Sequence, residues 1–349
     1  PVKFYFSGNI NSAEDECDFI RAMKQQGVSG IISFYGQDIQ KIVETCDEEE
    51  MYYVLGSGNV SDEDYDKIKK SQYFLGSVGP DAKADYEAGY NMAEYFADAD
   101  TSKYIVLTGG SSAGNYMHLQ RAIGVLEALT EKEGLTYSED VERLAASEET
   151  TVVDTGKDNI SITICPGYMT APKGINNLKH AFVDGNYDAV LCTFNVDEIM
   201  KIVTAKEDEQ GSNIKIGAVD CFSQENHDEI NTEDSFGNPK IDCIAGKYAS
   251  MGGPAFAILY NAMAGYPEAN TDDADSNTVR LYQGFWSTSD KASFNKLYGY
   301  TQDIYENAYS CEDLMQVMKV YNEDTTPENL KALTEAYTVE DVKERILKD

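Results

Sequence analysis

The stretch KYIVLTGGSSAGNYMHLQRAIGVL, Lys103 to Leu126, reads as a buried strand, a small-residue turn and a helix. The apolar run Tyr104 to Thr108 stops at Gly109 and Gly110. From about Asn115 onward, Met117, Ala122, Val125, Leu126 and Leu129 recur at helical spacing. A short apolar run followed by Gly and then a period of 3.6 predicts a βα unit. In open α/β sheets, ligands collect beyond the carboxyl ends of the strands, where helix N-termini present unpaired N–H groups. The turn at 109–115 is therefore the first place to look for a site.

Working outward, strand and helix patterns alternate along most of the chain. Toward the N-terminus the pattern predicts strands Val2 to Phe6, Val28 to Phe34, Tyr52 to Leu55 and Phe74 to Ser77. Helices Ala13 to Gln26, Gln37 to Cys46 and Pro80 to Ala97, with a polar helix from Ser61, lie between and after them. Beyond an acidic, less regular stretch (131–149), it predicts strands Ile160 to Cys165, Ala189 to Thr193, Ile214 to Val219, Ile241 to Ala245 and Arg280 to Phe285. Helices Ala171 to Phe182, Asp197 to Thr204 and Ser250 to Ala264 belong to the same half. This rhythm implies an α/β fold with parallel sheets flanked by helices on both faces. The last sixty or so residues read as helices, with Thr326-Pro327 as N-cap and first helical residue, and are expected to pack as an appendage on one domain.

A chain of 349 residues is long enough for two cores. Its net charge of −33, spread along the chain, excludes a nucleic-acid partner, which requires a basic face to displace counterions. The acid excess fits a self-repelling, solvated surface. Seven cysteines, an odd number without a CxxC, mostly sit in apolar contexts. They read as small buried hydrophobes, with no metal site and no disulfide framework. No run reaches the roughly 18 apolar residues that span a bilayer. No charged-then-apolar leader is present, so the expectation is a cytosolic chain or a mature form with its signal removed.

Four stretches together resemble the type I periplasmic solute-binding family, the ribose-binding-like components of ABC transporters. Gln26-Gly-Val-Ser-Gly-Ile-Ile-Ser33 is similar to that family's QGVDGIII strand. Phe74-Leu-Gly-Ser77 with Tyr86-Glu-Ala-Gly-Tyr-Asn-Met-Ala-Glu-Tyr95 resembles its VGTDN…AG…AAEYL strand and helix. The opening stretch, with Arg121 and Gly124 in register, resembles its ITG…R..G…AL unit. Tyr187-Asp-Ala-Val-Leu-Cys-Thr-Phe-Asn195 and Ile216-Gly-Ala-Val-Asp220 resemble its DAVFAAND…VVGFD pair. The resemblance implies two Rossmann-like lobes joined by three crossovers, near 101–104, 246–249 and 284–287, with a ligand in the cleft. Lobe one would comprise 1–102 plus 248–285, and lobe two 103–247 plus 286–349 with the helical tail. It further implies a non-enzymatic, extracytoplasmic monomer without cofactor that hands a small polar solute, a sugar first and a nucleoside as alternative, to an ABC permease. An effector domain of a transcription factor shares the fold. Two departures stand out: the strand and helix that open the family's first lobe have no counterpart before Val2, and the tail is longer than in compact sugar binders.

The candidate ligand residues each carry two readings. Ser57 and Asn59, in Gly56-Ser-Gly-Asn59, stand where sugar binders place an Asp-Arg pair; they are hydrogen-bonders or turn residues. Asn115, Tyr116 and His118 fall where the family reaches into its cleft, and Tyr168 and Met169 where it stacks an aromatic on its ligand; ordinary packing is the alternative. Asn195 and Asp220 end successive strands, as ligand groups or as a helix cap and a turn residue. Lys247, beside Tyr248, would pair with Asp220 or a ligand carboxylate. Finally, Gly110-Ser-Ser-Ala-Gly114 matches the GxSxG elbow of serine hydrolases with Ser112 as nucleophile. The three histidines are poorly spaced for it: His118 shares the following helix, His180 lies in another helix, and His227 follows Asp220 by seven residues.

Overall fold

The computed structural model describes residues 2–8, 10–56, 58–97, 101–247, 251–273, 276–301 and 309–346. The chain divides into two compact units, Pro1–Pro80 with Ser250–Gln283 and Glu306–Asp349, and Asp81–Ala249 with Gly284–Tyr305. The class expected from the strand–helix rhythm is what forms: each unit holds a largely parallel sheet flanked by helices.

The first unit contains α1 (Ala13–Gln25), β1 (Gly30–Ser33), α2 (Ile39–Glu48), β2 (Tyr52–Leu55), α3 (Asp62–Ile68) and β3 (Phe74–Gly79). Later in the chain it adds α10 (Gly252–Met263), β10 (Val279–Tyr282), α12 (Cys311–Gln316), α13 (Pro327–Glu335) and α14 (Val339–Ile346). Its sheet runs β1-β2-β3-β10, all parallel. Both faces are covered. Ile31, Tyr53 and Phe74 bury against α1 and α2 on one side, and Val54, Leu75, Val78 and Leu281 against α10 on the other.

The second unit contains α4 (Ala82–Ala97), β4 (Lys103–Thr108), α5 (Tyr116–Glu133), α6 (Val141–Ala145), β5 (Thr151–Val153), β6 (Ser161–Pro166), α7 (Pro172–Asp184) and β7 (Ala189–Cys192). It continues with α8 (Met200–Gln210), β8 (Lys215–Cys221), α9 (Gln224–Asn231), β9 (Cys243–Lys247), β11 (Trp286–Ser287) and α11 (Lys291–Gly299). The sheet order is β11-β9-β8-β7-β4-β6-β5, with five central parallel strands and an antiparallel strand at each edge. The strand at 104–108 thus lies inside the sheet, between β7 and β6, which is why it is buried throughout.

Several expectations change. Helix α4, assigned above to the first lobe, belongs to the second unit. A Cβ on Gly89 would lie 2.0 Å from the Arg121 carbonyl oxygen, and one on Gly124 would lie 2.1 Å from that of Tyr86. Only paired glycines let the α4 and α5 backbones approach so closely, and this contact draws α4 to α5. The tail, assigned above to the second lobe, packs on the first unit: Val317, Met318 and Leu330 enter the core formed by Val54, Leu75 and Leu281. Gln283 Nε2 donates to the Tyr309 hydroxyl (2.7 Å) and the Thr334 carbonyl (3.1 Å), fixing that tail to the end of β10. The chain consequently passes between units at 80/81, 249/250, 283/284 and 305/306, four times where three were expected. Lastly, Val2 to Phe6 forms no strand, and the expected strand 280–285 resolves into β10 and the short β11.

Candidate ligand site

The carboxyl ends of β4, β6, β7 and β8 lie along one edge of the second unit's sheet, because these strands are parallel neighbours in register. The chain leaves β4 through Gly109 and Gly110, the latter at φ 74°, and a single 3-10 turn at Ser111–Ala113. Asn115 then caps α5, its Oδ1 accepting from the His118 N–H at 3.2 Å. That cap sets the first turn of α5 so that His118 Nδ1 reaches the Tyr168 hydroxyl at 2.9 Å. Tyr168, beyond β6, crosses Gly109 so closely that a Cβ there would lie 3.4 Å from its ring. Phe194, beyond β7, completes an aromatic trio, with centroids 5.7 Å from His118 and 5.2 Å from Tyr168.

A polar chain adjoins the trio through the next residue. Asn195 Nδ2 donates to Asp220 Oδ2 at 3.1 Å and to Asp197 Oδ2 at 3.1 Å, and its Oδ1 accepts from the Asp197 N–H. Asn226, at the start of α9, donates to the same Asp220 oxygen at 2.8 Å and to the Cys221 carbonyl; its Oδ1 is buried without a hydrogen-bond partner among the described residues. Burial raises the Asp220 carboxyl above its ordinary value, and the nearby Asp197 adds to the rise, while the Asn226 hydrogen bond opposes it. Behind the strand ends, the buried Arg121 bonds Asp85 at 2.7 Å and the Thr193 carbonyl at 2.9 Å, with its guanidinium 5.3 Å from the Phe285 ring. It ties α4 and α5 to the ends of β7 and β8, and so holds the residues that follow those strands.

Of the residues singled out in the sequence, the structure brings His118, Tyr168, Asn195 and Asp220 together. Asn115 serves as the helix cap. Tyr116 is exposed, and Met169 is buried at 2 % exposure. Asn59 lies in the first unit and is fully engaged: its Nδ2 donates to the carbonyls of Gly79, Pro80 and Leu281, and its Oδ1 accepts from the Ser77 hydroxyl. Ser57 and the Lys247 side chain lie outside the described residues. Phe194 and Asn226 were not anticipated. An aromatic directly after an apolar strand was a usable signal for Phe194; a polar residue in a polar helix gave none for Asn226.

The GxSxG serine has a different partner from the one an elbow requires. The Ser111 and Ser112 hydroxyls both donate to Glu148, which also pairs with Lys173 at 3.0 Å. These serine hydrogen bonds hold the Glu148 carboxyl down at about 2, far too weak a base to activate a hydroxyl. His180 is exposed on α7. Among the described residues no group of three or more His, Cys, Asp or Glu is placed to hold a metal ion, and no helix is long and apolar enough to cross a membrane. The seven cysteines are free, five of them buried.

The site thus lies in a two-unit α/β architecture with largely parallel sheets, its polar and aromatic groups at one strand-end edge. Solved structures place it more narrowly. The periplasmic binding protein of the arabinose ABC transporter from Shewanella sp. ANA-3, bound to arabinofuranose, matches at TM-score 0.50 and 14 % identity, covering 83 % of this chain and 82 % of its own. A solute-binding protein from Actinobacillus succinogenes 130z with bound D-allose matches at 0.51 and 12 %, covering 82 % and 85 %. The transcription regulator CcpA of Lactococcus lactis matches at 0.52 and 14 %, covering 80 % and 84 %. No family model and no curated protein sequence matches the chain. The chain has the fold of the type I periplasmic sugar-binding proteins.

Proposed function

We propose that this protein is an extracytoplasmic solute receptor that captures a small polyhydroxylated molecule, a sugar, and passes it unchanged to an ABC permease. The observation that carries the reading is the contiguous row His118, Tyr168, Phe194, Asn195, Asp220 and Asn226 at the carboxyl edge of one sheet. Sugars present an apolar C–H face beside hydroxyls that both donate and accept. An aromatic ring covers the first, and a carboxylate flanked by amides meets the second. The likeness to proteins solved with arabinofuranose and D-allose supports the same ligand class.

The test is a thermal-shift and calorimetric screen of pentoses, hexoses and nucleosides, since a ligand that binds only the folded state raises the melting temperature by mass action. At least one sugar should stabilise the protein. Because a hydrogen bond to a charged group contributes about 1.5–3 kcal/mol, Asp220→Ala should weaken binding by roughly ten- to hundred-fold. Undiminished affinity in both Asp220→Ala and Tyr168→Ala, a response to nucleosides alone, or conversion of the sugar into product sinks the proposal.

A further inference from the structure

At the carboxyl edge of the second unit's sheet, hydrogen-bond acceptors outnumber donors. The Asn195 amide uses both N–H bonds on carboxylates, one on Asp197 and one on Asp220, each at 3.1 Å, and its Oδ1 takes the Asp197 N–H. Asn226 uses its two on Asp220 at 2.8 Å and on the Cys221 carbonyl at 2.9 Å. A primary amide carries two N–H donors, so neither side chain has one left. The acceptors are not exhausted. A carboxylate accepts about four hydrogen bonds. Among the described residues Asp220 receives Asn195, Asn226 and the Cys221 side chain, and the Asp197 side chain receives Asn195 alone. Asn226, at 0 % exposure, keeps an Oδ1 with no partner. Charge follows the same imbalance. One amide nitrogen bridges the two carboxylates, so the oxygens it touches lie at most about 6 Å apart. Neither Asp197 nor Asp220 forms an ion pair among the described residues. Arg121, whose charge bears on Asp220, is already paired with the buried Asp85 at 2.7 Å. Next to Asn195 stands Phe194, its ring centroid 5.2 Å from that of Tyr168.

We propose that the ligand of this site is an amino sugar, whose protonated amine is held by Asp220 and Asp197 while its ring lies against Tyr168 and Phe194. The inference rests on the solute-receptor reading and narrows its ligand class. Three observations choose the ammonium. A hydroxyl donates one hydrogen and brings lone pairs that seek donors the two amides no longer have; an ammonium brings three donors and no acceptor. Two carboxylates this close, without a countercharge, repel each other, and a cation beside them removes that repulsion where a neutral sugar leaves it in place. Aromatic faces beside the pair attract a cation and cover the C–H groups of the ring alike. The same requirements argue against a sugar phosphate or a sugar acid, whose anion would meet two carboxylates.

The probes are glucosamine, galactosamine and mannosamine, each set against its neutral parent sugar and its N-acetyl derivative. They are titrated by calorimetry at about pH 6.5, where the amines are charged, in about 0.15 M salt, which screens the distant acidic surface. At least one amino sugar should bind about ten-fold or more tightly than both of its neutral counterparts, a comparison that needs no variant to fold. Asp197→Asn keeps the shape of an exposed side chain, should melt as the parent does, and should shrink that ratio by about three-fold or more. Equal or tighter binding of every neutral parent overturns the proposal and leaves the receptor reading standing, whereas no response to any sugar, charged or neutral, removes both. A ratio unchanged in Asp197→Asn overturns it too, as does equally tight binding of ethanolamine, which has the amine without the ring. A preference for amino sugars that emerges only in Lys247→Met also overturns it, since the protein's own ammonium would then fill the place.

Discussion

Replacing Glu16 by Gln should flatten the pH dependence of the first unit's stability. Glu16 accepts from the Tyr53 hydroxyl at 3.1 Å through Oε1, and its Oε2 is buried without a geometric hydrogen-bond partner among the described residues. Burial pushes its carboxyl up from 4.5 to about 7, against the opposing pull of hydrogen bonds from Ser33 and Tyr53. Between those values the folded chain keeps a proton that the unfolded chain has lost. The stabilisation is therefore complete below pH 4.5 and disappears as the pH climbs to about 7. At about 1.36 kcal/mol per pH unit the whole span is worth roughly 3 kcal/mol, and near-total burial leaves little solvent to screen it. The single tryptophan, Trp286, belongs to the second unit and is blind to this event. A Tyr52→Trp reporter in a Trp286→Phe background places the signal on β2 instead. Urea unfolding at pH 5 and pH 8 should show the protein with Glu16 intact losing about 2–3 kcal/mol more than the Glu16→Gln variant. Asp242, raised to about 6 by burial, obeys the same sign but lies in the other unit and leaves this reporter alone. Parallel pH profiles for the two proteins would refute the reasoning.

Arg121→Ala takes the guanidinium away from the buried Asp85 carboxylate and should cost about 3–5 kcal/mol by Trp286 fluorescence in denaturant, whereas Arg121→Met combined with Asp85→Leu should recover most of it. Gly124→Ala drives a methyl into the Tyr86 carbonyl, forces α4 and α5 apart and should cost about 1–3 kcal/mol, seen by calorimetry as a lower melting temperature. Tyr309→Phe removes the hydroxyl that Gln283 meets and should loosen the tail by about 1 kcal/mol, read as faster limited proteolysis after residue 309.

What the sequence made legible was local. The apolar run 104–108, its glycine stop and the Asn115 cap each act through neighbours within a turn of the chain, so β4 and α5 form as the pattern predicts. The strands β5 and β11, three and two residues long, are shorter than any window in which alternation is measurable. Unit membership failed for a different reason. The stripe on α4 shows that the helix buries a face, and says nothing about which sheet receives it. The deciding feature was the pairing of Gly89 with Gly124, two residues whose meaning appears only when both are seen to face each other.

Two cases show how far a pattern can mislead about a role. Val2 to Phe6 has the alternation of a strand, but a strand is a relation between backbones; without an adjacent ladder the same residues line a cavity. Asn59 has the identity and position of a ligand group, in a Gly-rich turn after a strand. Its amide instead bridges the carbonyls of Gly79, Pro80 and Leu281, where β3 and β10 end side by side. Buried backbone oxygens demand partners before a ligand does. At Asp220 the order is reversed: two amides already share one of its oxygens, and the carboxyl still titrates high because burial outweighs them. A carboxylate under that residual penalty gains from any hydroxyl brought to it, which is why the proposed binding reading is tested at Asp220 and not at Asn59.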